Sequence, residues 1–313
     1  MFESIIALIE QYDKIIIHRH TKPDGDAMGS QIGLKKLIEA NYPGKKVLCV
    51  GDGAGRYSFV QKDAPDTVSD EDFYGALAII LDTSAKALIS DNRYETADAT
   101  ARIDHHIFCE KIAQTEVTDT SFESCCSLIT ALAMEAGWSV TSEAATALYT
   151  GMVTDSGRFR YDSTTPETLR RAAFLLEAGI DTQEIYRNLY SDDFSYIRLR
   201  ASFVLKVKFT ENNVAYIYTT AQEAAECGVD TFTISRGMVG VMGEIRGVDI
   251  WVNFTETEQG ILCELRSSRY NINPVAVKYG GGGHEKASGA TVADRESAML
   301  MLADLDKIAE ENK

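Results

Sequence analysis

The sequence is short of several things, and each shortage removes a class of protein. It has no surplus of positive charge: 31 lysines and arginines stand against 47 aspartates and glutamates, a net charge of −16. Capture of long duplex DNA needs a basic surface that displaces counterions, so no such partner is expected. A small nucleotide held by metals and a few arginines is still allowed, and the acidic excess fits a soluble cytosolic protein. There is no CxxC pair among the six cysteines, Cys49, Cys109, Cys125, Cys126, Cys227 and Cys263. That argues against a zinc ribbon, and adjacent Cys125 and Cys126 are poorly placed for a bridge; the thiols read as reduced and mostly buried. No apolar run approaches the ~20 residues of a membrane span, so no membrane partner is expected. No long polar or low-complexity tract marks disorder, and no internal repeat is evident. The opening residues 1–12 lack a basic start and carry Glu3 and Glu10. Their Phe2, Ile5, Ile6 and Ile9 fall at helical spacing, which predicts an amphipathic helix rather than a targeting signal, and a cytoplasmic location.

What is present is the balance of a globular protein, 313 residues of which 45% are hydrophobic and 25% charged, enough for two domains with sizeable cores. Short apolar runs at 14–17, 46–50 and 76–81, with a shorter one at 101–103, read as strands. Helical patterns at 28–40, 124–137, 143–154 and 166–178 lie between and after them. Strands alternating with helices predict an α/β domain with a mainly parallel sheet and helices on both faces, whose ligands bind at the carboxyl ends of the strands. After about residue 180 the pattern changes. Residues 183–207 read as one long helix. Runs at 214–219, 249–255 and 261–266 alternate more clearly, as antiparallel strands do, and helices follow at 274–279 and 294–311. The division expected is a catalytic domain over 1–190, a helical linker over 191–204 and a smaller α/β domain over 205–313.

Four places in the first domain concentrate carboxylates and imidazoles where strands or helices end: His20 with Asp24 and Asp26, Asp82, Asp104-His105-His106, and Asp155. Each has an ordinary explanation taken singly. Asp-Gly-Asp is commonly a turn, Asp82 could cap a helix, Asp155 could cap the segment around Ser156, and lone histidines are mostly structural, as we read His18 to be. Together they are harder to explain without a ligand. Acidic groups after apolar segments are costly to bury unless paired or metal-bound, and several at one sheet edge repel one another unless cations lie between them. Mixed carboxylate and imidazole donors suit Mn²⁺, with Mg²⁺ the harder alternative. Two such ions ~3.5–4 Å apart can share a carboxylate, acidify water and neutralise phosphoryl charge, so phosphoester hydrolysis needs no protein nucleophile.

At this point the sequence resembles the DHH phosphoesterase superfamily. Asp104-His105-His106 supplies the signature, residues 20–30 read HxxxDGDAxGS, and the isolated aspartates fall at 82 and 155. The resemblance implies two divalent metal ions, one held by His20, Asp24 and Asp82 and the other by Asp26, Asp82, His105 and Asp155, with Asp82 as the bridge. It implies that His106 faces the substrate phosphate and that Asp104 orients the site. Further on, Tyr279-Gly-Gly-Gly-Gly-His284-Glu-Lys-Ala-Ser-Gly289 is similar to the glycine-rich signature of the DHH-associated C-terminal domain, and Arg266-Ser267-Ser268 to its substrate-contacting segment. Gly281, Gly282, Gly283 and His284, with Arg266, Ser267 and Ser268, are thus the implied substrate-binding residues. A tight turn and a surface arginine are the plainer readings of the two segments.

Within the superfamily, RecJ-type exonucleases carry nucleic-acid-binding parts absent here, manganese pyrophosphatases use a lysine- and arginine-rich motif where this chain has glycines, and membrane-bound cyclic dinucleotide phosphodiesterases carry sensory domains first. The resemblance is then to the bacterial nanoRNase/pAp phosphatases. It implies an active-site cleft between the domains, hydrolysis of oligonucleotides of 2–5 nucleotides to mononucleotides, and removal of the 3′-phosphate of 3′-phosphoadenosine 5′-phosphate (pAp). A soluble phosphodiesterase for cyclic di-AMP or pApA is the alternative enzyme, and a nucleotide-binding regulator that lost the chemistry the non-enzyme one. The oligomeric state stays open, a homodimer included.

Overall fold

The computed structural model describes residues 1–61 and 65–312. They form two compact units, Met1–Ser191 and Asp192–Lys313. In the first, five strands make an all-parallel sheet in the order β2-β1-β3-β4-β5. They are β1 (Lys14–His18), β2 (Lys46–Cys49), β3 (Leu77–Leu81), β4 (Ala99–Asp104) and β5 (Thr115–Thr118). β5 was not foreseen; its Thr-Glu-Val-Thr sequence has one buried position and no apolar run to announce it. The central strand β3, Leu-Ala-Ile-Ile-Leu, is buried along its whole length, as a strand covered on both faces must be. One face, through Ile15, Ile17, Leu77, Ile79, Leu81, Ala101 and Ile103, packs on α-helices. The other, through Ile16, Ala78 and Ile80, is covered by short 3-10 turns and loops that supply Phe73, Ile89 and Tyr94.

The α-helices of this unit are α1 (Glu3–Gln11), α2 (Gly25–Asn41), α3 (Cys125–Ala136), α4 (Ser142–Asp155), α5 (Pro166–Leu176) and α6 (Thr182–Tyr190). Their starts are set by side chains that accept the first free N–H groups: Asp24 for α2, Ser124 for α3, Thr141 for α4 and Thr165 for α5. The chain order reverses between β1 and β3, which puts a crevice beyond the carboxyl ends of those two strands.

Two expectations about helix ends are corrected. The helix expected from residue 28 starts earlier, because the Asp24 side chain caps a helix that already includes Gly25 and Asp26. The single helix expected over 183–207 is two, α6 and α7 (Phe194–Val204), interrupted at residues 191–193. Ser191 is extended there and Asp193 precedes the next helix without a side-chain cap, so the short polar stretch 191–193 interrupts a nearly continuous helical pattern.

The second unit begins with α7, whose Phe203 is fully buried in this unit's own core. Its six-stranded sheet runs β10-β11-β9-β8-β7-β6, from β6 (Lys208–Phe209), β7 (Ala215–Thr219), β8 (Ile250–Thr257), β9 (Gly260–Ser267), β10 (Gly282–His284) and β11 (Ala287–Val292). The antiparallel reading fails at one pairing: β7 and β8 are parallel. The chain between them makes α8 (Ala221–Glu226) and further helical turns, a crossover rather than a hairpin. α9 (Asn273–Lys278) and α10 (Arg295–Glu311) cover one face of the sheet. Among the described residues no helix is long and apolar enough to cross a membrane.

Candidate active site

The strand ends β1, β3 and β4 and the helices α2 and α4 bring His20, Asp24, Asp26, Asp82, His105 and Asp155 together, as the sequence implied. Three groups have donor atoms within 4.8 Å of one another: His20 with Asp24 and Asp82; Asp26 with His105 and Asp155; and Asp82 with His105 and His106. Asp82 belongs to two of them. Its Oδ2 faces His20 Nε2 at 3.5 Å, while its Oδ1 faces His105 Nε2 at 3.4 Å. His105 Nε2 also lies 3.7 Å from Asp26 and 3.5 Å from Asp155. These separations are too long for good hydrogen bonds and leave room between the donors.

Asp82 is held against its preferences. Its φ of +50° is in the left-handed region, uncommon for a residue with a side chain. It caps no helix, since the next helical turn spans Lys86–Leu88 with Ala85 before it. Its Oδ1 is buried and has no hydrogen-bond partner, which is expensive unless something positive sits against it. Asp155 points the same way. It is the last residue of α4, where the carbonyl end of the helix disfavours an anion. Asp26 is placed more comfortably: buried at the first turn of α2, it accepts the N–H groups of Cys125 and Cys126, at 2.7 and 2.9 Å, at the start of α3.

The electrostatics show a site overloaded with negative charge. Burial, and then the Asp82 and Asp155 charges, push the Asp26 carboxyl well above its usual range, and burial with Asp82 raises Asp155 to about 7. Burial also opposes ionisation of Asp82, yet the His105 and His20 imidazoles facing it outweigh that and hold the carboxyl low. The same carboxylates overcome the burial of His20 and His105 and raise both imidazoles to about 10. Protons thus occupy sites where cations would serve better. The unpaired Asp82 oxygen, the anion at a helix C-terminus and the mixed oxygen and imidazole donors all fit a pair of divalent ions.

Around the donors, supporting groups fix their aim. His20 Nδ1 faces the Thr21 carbonyl at 2.8 Å, which leaves Nε2 for the cluster. Arg19, fully buried, reaches Gln31, the His20 carbonyl and the Asp52 carbonyl, tying the end of β1 to its surroundings. Asp104 is fully buried and hydrogen-bonded to His106 Nδ1 at 2.7 Å on one side and to Arg102 on the other. Burial opposes its ionisation, but His106 and Arg102 hold it below its usual value, and Asp104 in turn raises His106. His18 is buried between Phe73 and Tyr94, clear of the cluster.

Arg19, Arg102 and the Cys125 and Cys126 N–H groups went unnoticed in the sequence. An arginine inside a strand two residues before Asp104 was the available signal for one of them. Also missed was the glycine spacing of α2. Gly25, Gly29 and Gly33 lie four residues apart, and a Cβ at any of them would strike α4: Thr154 at 2.4 Å, the Ala147 carbonyl at 2.5 Å and Leu148 at 2.6 Å. Gly151 returns the contact, its Cβ position 2.9 Å from Asp26 Oδ1. This close crossing brings Asp155 to Asp26.

The implied substrate residues lie in the second unit. Arg266 Nη2 reaches Glu264 at 3.1 Å and its Nη1 the Leu265 carbonyl at 2.8 Å. Ser267 is buried, its hydroxyl accepting the N–H groups of Arg269 and Tyr270, while exposed Ser268 reaches Asp249. The glycines differ. A Cβ at Gly281 would lie 2.1 Å from the Gly289 carbonyl, and at Gly283, where φ is +134°, 2.6 Å from the Ala287 carbonyl. Both are required by the β10–β11 hairpin. Gly282 has open space instead, and His284 is exposed.

Comparison with known proteins agrees with this geometry. Residues 14–152 match the N-terminal domain of the DHH family and residues 213–311 the DHHA1 domain. The chain is similar to the bifunctional oligoribonuclease and PAP phosphatase NrnA of Bacillus subtilis, 34% identical with all of each chain covered. It is 35% identical to the probable enzyme of that name from Streptococcus mutans, over 98% of this chain and 99% of the relative. Among solved structures, an exopolyphosphatase-related protein from Bacteroides fragilis matches with a TM-score of 0.86 at 26% identity, covering 99% of this chain and 97% of that one. Two domain matches in sequence, whole-length relatives and a shared fold lead to one conclusion: this chain belongs to the DHH family.

Proposed function

We propose that the chain is a cytoplasmic, divalent-metal-dependent phosphoester hydrolase that converts very short oligonucleotides to mononucleotides and pAp to AMP. The observation that carries this reading is Asp82, whose two oxygens face two separate donor groups while one of them is left unpaired in the interior. In this reading His20, Asp24 and Asp82 hold one ion, and Asp26, Asp82, His105 and Asp155 the other. When bound, the ions, most suitably Mn²⁺, supply Lewis acidity: they acidify water and neutralise phosphoryl charge.

The chain's own residues do the rest. Asp104 takes one ring N–H of His106 and favours its protonated form, so the second ring N–H is free to donate to a phosphate oxygen or the leaving oxygen. Arg102 keeps Asp104 ionised and in place for that task. In the second unit, Arg266, Ser267, Ser268, His284 and the open backbone at Gly282 are the candidate grips on a nucleotide. The test is a Mn²⁺-dependent assay on pAp, a dinucleotide, pApA and cyclic di-AMP. Hydrolysis of pAp and the dinucleotide is expected. Faster turnover of cyclic di-AMP would move the assignment to the phosphodiesterases, and no turnover with bound Mn²⁺ would leave a nucleotide-binding protein.

A further inference from the structure

Beside the cluster, within the first unit, lies a group of side chains that the chemistry above does not use. After Asp155 the chain does not simply unwind. Gly157, Arg158 and Phe159 have φ values of +57°, +65° and +60°, three successive left-handed residues of which two carry side chains. The turn is fastened by the Arg158 N–H on the Val153 carbonyl and the Phe159 N–H on Ser156 Oγ, at 2.8 and 2.9 Å. Strain of this kind persists only where the surroundings enforce it, and it is commonly found at functional sites. Its effect here is to lay the Arg158 guanidinium over the Tyr190 ring, 4.8 Å from its centroid.

A second segment meets the same place. Arg56 donates to the Leu189 carbonyl at 2.6 Å, next to Tyr190, and its guanidinium lies 5.5 Å from the Tyr57 ring centroid. Tyr57 packs against the core of the same unit, and Arg158 follows Asp155 of the cluster by three residues. Tyr186 stacks obliquely beside Tyr190, ring centroids 5.7 Å apart. Arg158 and Arg56 are exposed and Tyr190 is 40% exposed, so both guanidinium groups and part of the tyrosine are accessible to a ligand.

Guanidinium groups interleaved with aromatic rings hold single-stranded nucleic acid in other proteins, the rings taking bases and the cations the backbone. In a chain of net charge −16, two arginines held beside a phosphate-cleaving cluster need a reason. We propose that Arg56, Tyr57, Arg158 and Tyr190 form a subsite for the nucleotide next to the scissile phosphate of a short oligonucleotide. The proposal rests on the hydrolase reading above and deepens it. pAp has no second nucleotide and does not use the subsite, so one metal cluster serves two substrates and this patch separates them.

The experiment compares wild type with Tyr190→Ala, Arg158→Ala and the conservative Tyr190→Phe, all Mn²⁺-loaded and checked by thermal melting. Kinetics are measured on pAp and on a 5′-phosphorylated trinucleotide, and binding on a non-hydrolysable phosphonate-linked trinucleotide. Each alanine variant should lose on the order of tenfold in trinucleotide kcat/KM and affinity, chiefly through KM. The loss on pAp should be several times smaller, and Tyr190→Phe should stay near wild type. Equal losses on both substrates would mean that the turn merely supports Asp155, and undiminished trinucleotide binding would mean that the patch is idle; either overturns the subsite. Wild-type protein that binds the trinucleotide through these residues but cleaves nothing would sink the hydrolase reading and leave the subsite standing. Wild-type protein that fails to bind it overturns both.

Discussion

Around Asp82, carboxylates and imidazoles are driven into the interior with an oxygen left unpaired. Around Arg266 and the glycine hairpin, charged groups sit near the surface and already have partners, Glu264 for the arginine and Asp249 for Ser268. In the first region the protein tolerates a left-handed aspartate and an anion at the wrong end of a helix. In the second, the awkward backbone at Gly281 and Gly283 is explained by the hairpin itself. Strain and a buried oxygen without a hydrogen bond mark where a ligand would restore local consistency; satisfied groups mark where a ligand must compete with existing contacts.

The sharpest way to break the comparison is Asp82→Ala. Because one carboxylate faces both donor groups, Mn²⁺-dependent turnover should fall by more than the ~10–100-fold typical of losing a supporting partner of a metal site. Wild-type turnover in this variant at saturating Mn²⁺ would end the two-ion reading. Ion uptake can be followed directly. His20 and His105 have folded-state pKa values raised to about 10 from the usual 6.5, so both carry protons at pH 8 and lose them only as the pH rises towards 10. Metal ligation requires neutral imidazole, so Mn²⁺ binding should release protons. Calorimetry in two buffers of different ionisation enthalpy measures this, and activity should vanish in chelator and return with Mn²⁺ at least as well as with Mg²⁺.

Smaller effects test the supporting groups. Arg102→Met should lower kcat by roughly tenfold or more while bound Mn²⁺, measured by elemental analysis, stays near wild type, since the arginine acts through Asp104 and His106. Arg266→Ala and His284→Ala should reduce kcat/KM on pAp by about tenfold, at the low end for a charge-assisted contact because Glu264 already engages the arginine. Metal lost from either folded variant would place these residues elsewhere in the chemistry. Last, Gly281→Ala should lower the melting temperature, an overpacking cost of about 1–3 kcal/mol. Gly282→Ala, with open space, should melt like wild type and affect only nucleotide affinity.

The sequence was most legible where chemistry demanded particular residue types. His20, Asp24, Asp26, Asp82, His105 and Asp155 could be picked out because carboxylates and imidazoles at the ends of apolar segments are unusual in themselves. Strands such as β3 were visible because full burial leaves an unbroken apolar run. β5 was invisible because it sits at the edge of the sheet with one buried side chain. The parallel pairing of β7 and β8 could not be read from alternation, which reports one-sided burial and says nothing of strand direction. The break between α6 and α7 was written in Ser191, Asp192 and Asp193, residues that favour caps, but helical spacing on either side hid it. Arg102 inside β4 and Arg19 just after β1 were passed over in the sequence, and only their partners reveal what they hold.

The α2–α4 crossing has a consequence for ion selectivity. Asp26 and Asp155 ride on helices brought close by glycines of α2, which leave no room for a side chain of their own against the Ala147 carbonyl and the Thr154 and Leu148 side chains of α4. Such a seam is stiff, like the jaws of a fixed gauge. A site carried on loops can widen to accept a larger cation with more ligands, as Ca²⁺ prefers. In the two-ion reading, the spacing of Asp26 and Asp155 would be set by residues that do not themselves hold an ion, along the flank of a helix rather than at its tip.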